Sequence, residues 1–151
     1  MTDIRVLRTG VPAQYEISEG GETLTTVSAR TAQHGGELEI GGKTYRLENS
    51  AFGWDCRLHT TDGHAVASAE RSGVRSWNIT AAGRQLRITR TGIGTRNLEL
   101  TEDNDRIGKV RRVSRGAEAE LPGLDRPAAV FIVIVALAMW QRRRRAAVIG
   151  R

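Results

Sequence analysis

The chain has 151 residues, which is enough for a single domain with its own hydrophobic core. Its net charge is +6, yet residues 1–126 hold 18 basic and 17 acidic residues, so the positive excess lies after residue 126. A body this close to neutral argues against a nucleic-acid-binding surface.

Cys56 is the only cysteine, which excludes an intrachain disulfide and a cysteine-based zinc cluster. The first residues contain no apolar run of signal-peptide length, so we expect a cytoplasmic location. The 21 arginines outnumber the 2 lysines, which is typical of GC-rich codons and indicates a bacterial source.

Short runs of alternating apolar and polar residues fill most of the chain. In Lys43–Asn49, for example, Tyr45 and Leu47 fall on one face while Arg46 and Glu48 fall on the other. This period of two is typical of half-buried strands, and turn residues separate the runs. No amphipathic helix is expected among them. The pattern predicts twelve strands, at 2–8, 12–18, 22–30, 36–40, 43–49, 53–60, 64–71, 75–81, 84–90, 94–100, 105–113 and 116–121.

The chain also contains an internal repeat with a shift of 41 residues. Corresponding positions in the second and third copies include Gly42 and Gly83, Leu47 and Ile88, Asp62 and Asp103, and Arg71 and Arg112. A fainter first copy follows the same spacing and places Arg30 on Arg71. The repeat predicts three units of four strands each.

Twelve antiparallel strands in one small domain would leave two unprotected sheet edges unless the sheet closes into a barrel. A closed barrel of about twelve strands is too wide for its own side chains to fill, since about eight strands is the size that they fill well. We therefore expect another segment to occupy the bore.

The apolar stretch Pro127–Trp140 is the candidate for that segment. Its 14 residues would form a helix about 21 Å long, whereas a bilayer core is about 30 Å thick and needs about 20 residues. A helix that is apolar on every side must be surrounded by apolar material. We expect a helix over about 127–141 through the bore, with Asp125 as its N-cap. Two alternatives remain open: a membrane anchor with a basic flank, and a strand, because Val130–Val135 is rich in β-branched residues.

The terminal stretch from Asp125 to Met139 resembles the last helix of the LURP-one-related branch of the tubby-like superfamily, where a late Asp also precedes a short, uniformly apolar run. The strand Asp105–Arg112 and its echo Gly63–Arg71 are similar to strands of scramblase-like barrels. The resemblance implies a closed twelve-stranded barrel. We expect a single domain over residues 1–141, followed by a basic tail at 142–151.

For function, the resemblance implies binding rather than catalysis. Tubby domains bind phosphoinositide headgroups through basic residues on the barrel, but no such position matches here residue by residue. The cysteine-rich and calcium-binding segments of scramblases are not visible in this chain, where Leu121–Asp125 precedes the helix. The four arginines after the helix also depart from family branches whose chain ends near it.

Sequence motifs for catalysis, metals or cofactors are weak. His59 and His64 flank a turn that contains Asp62, but two polar residues beside a solvated loop explain the same pattern. Glu102, Asp103 and Asp105 lack the spacing of a calcium loop. No helix follows Gly92–Gly94, so a phosphate-binding turn is not indicated. We expect no enzymatic activity, no cofactor and no metal.

The remaining candidate site is a run of arginines beside the apolar stretch, which can bind anionic lipid at about 1 kcal/mol per residue. The predicted lipid-contacting residues are Arg142, Arg143, Arg144 and Arg145. The leading hypothesis is a binding or scaffold module that contacts anionic phospholipid at the inner membrane surface, or an unidentified protein. The alternative is a tail-anchored membrane protein whose membrane segment is 127–140 and whose β domain is cytoplasmic.

Overall fold

The computed structural model of the protein describes residues 3–49, 55–73, 75–91 and 97–149, with side chains up to residue 140. This part of the chain holds twelve strands and two helices. The strands are β1 (Asp3–Thr9), β2 (Gln14–Glu19), β3 (Glu22–Ser28), β4 (Gly35–Ile40), β5 (Lys43–Asn49), β6 (Asp55–Thr60), β7 (Ala65–Arg71), β8 (Ser76–Ala81), β9 (Arg84–Arg90), β10 (Leu98–Glu102), β11 (Asp105–Val113) and β12 (Gly116–Glu120). The helices are α1 (Ala29–His34) and α2 (Arg126–Ile149).

The strands form one antiparallel sheet in which neighbours in sequence pair with each other, except for β3 and β4. β12 returns to pair with β1, so that Ile4 lies opposite Ala119 and Val6 opposite Ala117. β3 and β4 are the two ends of the strand order, and the backbone N–H of Gly41 donates to the carbonyl of Leu24 across that seam, at 3.2 Å. The prediction of a mainly β, twelve-stranded antiparallel barrel is confirmed, although the barrel is nearly closed rather than closed.

The short helix α1 lies in the chain between the two seam strands, where the sequence pattern predicted no helix. The strand predicted at 22–30 ends at Ser28, whose hydroxyl accepts a hydrogen bond from the backbone N–H of Thr31 at 2.9 Å and caps the helix. Ala32 is buried in the core, and the Asn49 side chain on β5 donates to the carbonyl of Gln33 at 2.7 Å. These contacts attach α1 to the β4 side of the seam.

Strand alternation places apolar side chains on one face of the sheet, as predicted. Tyr45 and Leu47 on β5 are buried while Arg46 between them is exposed, and Leu86 and Ile88 on β9 are buried in the same way. The buried residues of the strands and of α2 form one hydrophobic cluster. Parts of the strands predicted at 53–60 and 94–100 lie outside the described residues.

α2 is buried on every side along its first half. The side chains from Ala128 to Leu137 are at most 4% exposed. The N-cap prediction is confirmed, because the Asp125 carboxylate accepts a hydrogen bond from the backbone N–H of Ala128 at 3.0 Å. The helix continues to Ile149 instead of ending near 141, so the arginine run continues the helix. Within the described residues, no helix combines the length and apolarity that a membrane crossing requires.

An ion pair fastens the segment before α2 to the barrel. The Arg84 guanidinium donates to both carboxylate oxygens of Glu102, at 3.0 and 2.8 Å, and its third nitrogen donates to the carbonyl of Gly123 at 3.1 Å. The hydrogen bonds and charge of Arg84 lower the pKa of Glu102, and Glu102 in turn raises the pKa of Arg84. The pair therefore joins β9, β10 and the approach to α2.

Replacement of Val133 by aspartate is expected to prevent folding. The side chain is fully buried among apolar neighbours, and an unpaired buried charge costs about 3–5 kcal/mol. Circular dichroism and thermal unfolding measure the effect, with Gln85→Asp at an exposed strand position as the control. A Val133→Asp protein that melts at the wild-type temperature would contradict the burial of α2.

Replacement of Gly116 by alanine is expected to destabilise the junction between β1 and β12. A β-carbon on Gly116 would overlap the carbonyl oxygen of Val6, so the two strands would have to separate. Overpacking of this kind costs about 1–3 kcal/mol or more. Gly73→Ala is the matched control, because a β-carbon there meets only the Ser76 hydroxyl, at 3.7 Å. Equal denaturation midpoints for the two variants would argue against a tight β1–β12 junction.

Replacement of Glu102 by glutamine is expected to lower stability at neutral pH but not in acid. Since the folded-state pKa of Glu102 is depressed, its stabilising effect is present above the unfolded pKa and disappears as the pH falls through the folded pKa. Denaturant unfolding at pH 7 and pH 3 measures the difference from wild type. Glu39→Gln, at an exposed position of β4, should match wild type at both pH values. A Glu102→Gln difference from wild type that is no smaller at pH 3 than at pH 7 would exclude this explanation.

Candidate functional site

At one end of the barrel, the inward-facing positions of four strands change from apolar residues to arginine. On β1, for example, the buried Val6 is followed at the next inward position by Arg8. Alternate strands of an antiparallel meander run in the same direction, so the ends of the four strands lie at the same mouth. We call this end the arginine mouth. Its residues are Arg8 on β1, Arg71 on β7, Arg90 on β9 and Arg112 on β11.

The strand partners of these arginines support their inward placement, because residues directly opposite each other share a face of the sheet. Each partner is buried, and no partner is acidic. The pairs are Arg8 with Tyr15, Arg71 with Trp77, Arg90 with Leu98, and Arg112 with Ala117. The arginine mouth therefore combines cationic and apolar groups without a carboxylate at these paired positions.

At the opposite mouth of the barrel, an inward arginine forms an ion pair with a carboxylate. Arg84 begins β9 opposite the buried Ala81, which places it on the inward face at that end. There it forms the two-pronged ion pair with Glu102 described above. The two mouths thus differ in charge, because the sheet supplies a carboxylate for its inward arginine at one mouth, and the paired strand positions supply none at the other.

Two residues of α2, Arg126 and Trp140, have partners near opposite mouths. Arg126, the first residue of the helix, lies 3.4 Å from Glu22 at the start of β3, which is at the mouth of the Arg84 ion pair. Near the other mouth, the Arg112 guanidinium lies 5.9 Å from the centre of the Trp140 ring. A guanidinium over an indole face is held by cation–π attraction. Arg112 is thereby positioned over the end of the buried apolar part of α2.

A cleft of about 720 Å³ opens at the arginine mouth, where the β1–β2 and β11–β12 turns meet. The backbone N–H of Arg8 donates to the carbonyl of Arg115 at 2.7 Å and joins the two turns. The cleft is lined by three arginines, aliphatic and aromatic side chains, and small residues of the turns. These residues are Arg8, Thr9, Gly10, Val11, Ala13, Tyr15, Arg112, Val113, Ser114, Arg115, Gly116, Leu137 and Trp140.

The charge of the cleft is wholly positive, since none of its lining residues is acidic. Arg8 and Arg115 are exposed, and neither forms an ion pair with a carboxylate in the described part of the chain. By contrast, Arg111 on the outward face of β11 lies 2.6 Å from Glu118 on β12. Arg111 and Arg112 of one hairpin therefore face opposite sides of the sheet, Arg111 towards Glu118 and Arg112 towards the cleft.

Two large apolar side chains are exposed at this end of the barrel. Val11 in the β1–β2 turn is fully exposed, and Leu7 near the end of β1 is 49% exposed. Exposed apolar residues beside basic residues are typical of surfaces that meet a membrane interface. The turn that presents Val11 uses Gly10 at a φ of 77°, a left-handed conformation that glycine adopts without strain.

The sequence-predicted residues have different outcomes. Arg142, Arg143, Arg144 and Arg145 have helical backbone beyond Trp140, but their side chains lie outside the described residues. Trp54 and the Gly92–Gly94 turn also lie outside them.

The two histidines beside Asp62 do not converge on a common site. His59 lies 3.2 Å from Glu48 and His64 lies 3.7 Å from Asp62. No group of three or more His, Cys, Asp or Glu residues that could hold a metal occurs in the described ranges.

Sequence reasoning missed the arginine mouth, although the repeat contained a signal for it. Arg71 and Arg112 were matched by the shift of 41 residues, and the same shift relates Arg8 to Asn49 and Asn49 to Arg90. Asn49 closes β5 at the same mouth. The mouth is thus built from equivalent positions of successive repeats, which a comparison of repeat copies by strand face would have found.

Neither models of known protein families nor curated proteins match this sequence. Function is therefore inferred from the geometry and charge of the arginine mouth.

Proposed function

We propose that the protein is a non-enzymatic binding module of tubby-like architecture that docks its arginine mouth on an anionic phospholipid surface. The observation that carries the proposal is the change from apolar residues to arginine at four inward strand ends, with no carboxylate at the paired positions. In a bacterium, the inner membrane surface offers such a surface to a cytoplasmic protein.

In the proposed architecture, the apolar half of α2 fills the bore, and the barrel consists of three units: β1–β4, β5–β8 and β9–β12. Burial of Ala128–Leu137 on all sides favours the bore position, as do the contacts of Arg126 and Trp140 with residues near opposite mouths. The shift of 41 residues favours the three units, since it relates β2 to β6 and β4 to β8 without a change of register.

Electrostatic attraction supplies most of the proposed affinity. Arg142–Arg145 follow Trp140 and Gln141 on α2, so the helix carries them away from the core at the end where the arginine mouth lies. Basic residues near an anionic surface contribute about 1 kcal/mol each, which corresponds to roughly fivefold in affinity. The exposed Val11 adds apolar contact with the interface.

Replacement of all four arginines 142–145 by glutamine is expected to weaken binding to vesicles of phosphatidylcholine with phosphatidylglycerol by at least tenfold. The loss follows from the contribution of each charge at the surface. Sedimentation with vesicles at low and at physiological salt measures it, and added salt should release the wild-type protein. Val11→Ser should weaken binding further without loss of folding, because the side chain is fully exposed.

Arg46→Gln with Arg57→Gln is the control, since both residues are exposed on the outward face of β5 and β6. This variant should bind as wild type does. Equal binding to vesicles of phosphatidylcholine alone, or loss of binding in the control variant only, would contradict docking through the arginine mouth. Release from cell membranes by detergent but not by salt would instead favour the tail-anchored alternative.

A further inference from the structure

We propose that the cleft at the arginine mouth binds a single-chain anionic amphiphile, an alkyl phosphate or alkyl carboxylate, as a monomer. The anionic head would lie between Arg8 and Arg112, and the alkyl chain would lie along Leu137 and Trp140. This ligand is separate from the bilayer contact proposed above, because it occupies a concave site and needs no membrane.

The positions of the two arginines favour an anion between them. Arg8 on β1 and Arg112 on β11 flank β12, and strands two apart in a sheet are separated by roughly 10 Å. Guanidinium groups that reach inward from both sides of such a gap can bind opposite oxygens of one phosphate or carboxylate. Arg115 in the intervening turn adds a third positive charge.

The strand between the arginines leaves space for the head group. In the register of the sheet, Ala117 of β12 lies between Arg112 on β11 and Val6 on β1, and Arg8 follows two residues after Val6. Along the diagonal from Arg112 to Arg8, Ala117 and Gly116 therefore place no more than one methyl group. Gly116 cannot become larger, because any β-carbon would overlap the backbone of β1. The small residues that allow β12 to pack closely on β1 therefore also keep the space between the arginines open.

The apolar walls of the cleft favour an amphiphile over a small inorganic anion. Tyr15, Leu137 and Trp140 belong to the hydrophobic core and also line the cleft, so the apolar interior reaches the surface here. Small-molecule sites have volumes of roughly 300–1,000 Å³, combining apolar walls with a few polar groups that fix orientation. The cleft, at about 720 Å³, has this size and composition.

Isothermal titration with decyl phosphate and with decanoate, both below their micelle concentrations, tests the proposal. We expect saturable one-to-one binding by the full-length protein, together with a change in tryptophan fluorescence, because Trp140 lines the cleft. Arg8→Gln and Arg115→Gln should each weaken binding roughly ten- to a hundredfold, since each removes a hydrogen bond to a charged group. Both side chains are exposed, so both variants are expected to fold.

Arg46→Gln, an exposed arginine on β5, is the matched control and should bind as wild type does. Unchanged affinity in Arg8→Gln and Arg115→Gln would overturn the proposal. If inorganic phosphate binds as tightly as decyl phosphate, the cleft is a simple anion site. If decyl maltoside binds equally well, the cleft is a simple apolar site. Either result would overturn the proposal. Binding to anionic vesicles without binding of the monomers would also overturn it, and would leave only the bilayer contact.

Discussion

The structure depends on the mutual burial of two apolar surfaces: the inward face of the sheet and the first half of α2. A single twelve-stranded sheet has no second sheet to cover its apolar face, and a helix that is apolar on every side has no face to present to water. Each surface removes the other from solvent, which is why strand residues and helix residues form one cluster. In the proposed arrangement, α2 also makes the two mouths of the barrel different, because the basic continuation of the helix leaves through only one of them.

Much of the fold could be predicted because strand alternation reports the buried face at every second residue. Tyr45 and Leu47 were assigned to one face from this period, and both are buried, as are Leu86 and Ile88 on β9. The helix α1 could not be found in this way. It is only six residues long, and the Ser28 cap and the tertiary contacts of Ala32 define it rather than a local period.

The length of α2 was underestimated for a physical reason. The predicted end near 141 followed from the loss of apolar character at Arg142, but helix formation depends on backbone propensity, and arginine and alanine both favour helices. The helix therefore continues to Ile149 through a segment that is no longer apolar. The arginine mouth was missed because the net charge of residues 1–126 is close to zero. A net charge does not report the face on which each arginine lies: Arg111 points outward to Glu118, and Arg112 faces the cleft.

The two mouths of the barrel show why the arginine mouth is a candidate for function rather than only for stability. An inward guanidinium at the end of a core loses part of its hydration, and a nearby carboxylate offsets that cost, as Glu102 does for Arg84. At the arginine mouth, four inward positions carry the same group, and their strand partners Tyr15, Trp77, Leu98 and Ala117 are not acidic. Sequences depart from local packing rules mainly at functional sites. An anion that meets this mouth would supply the charge that the paired strand positions omit.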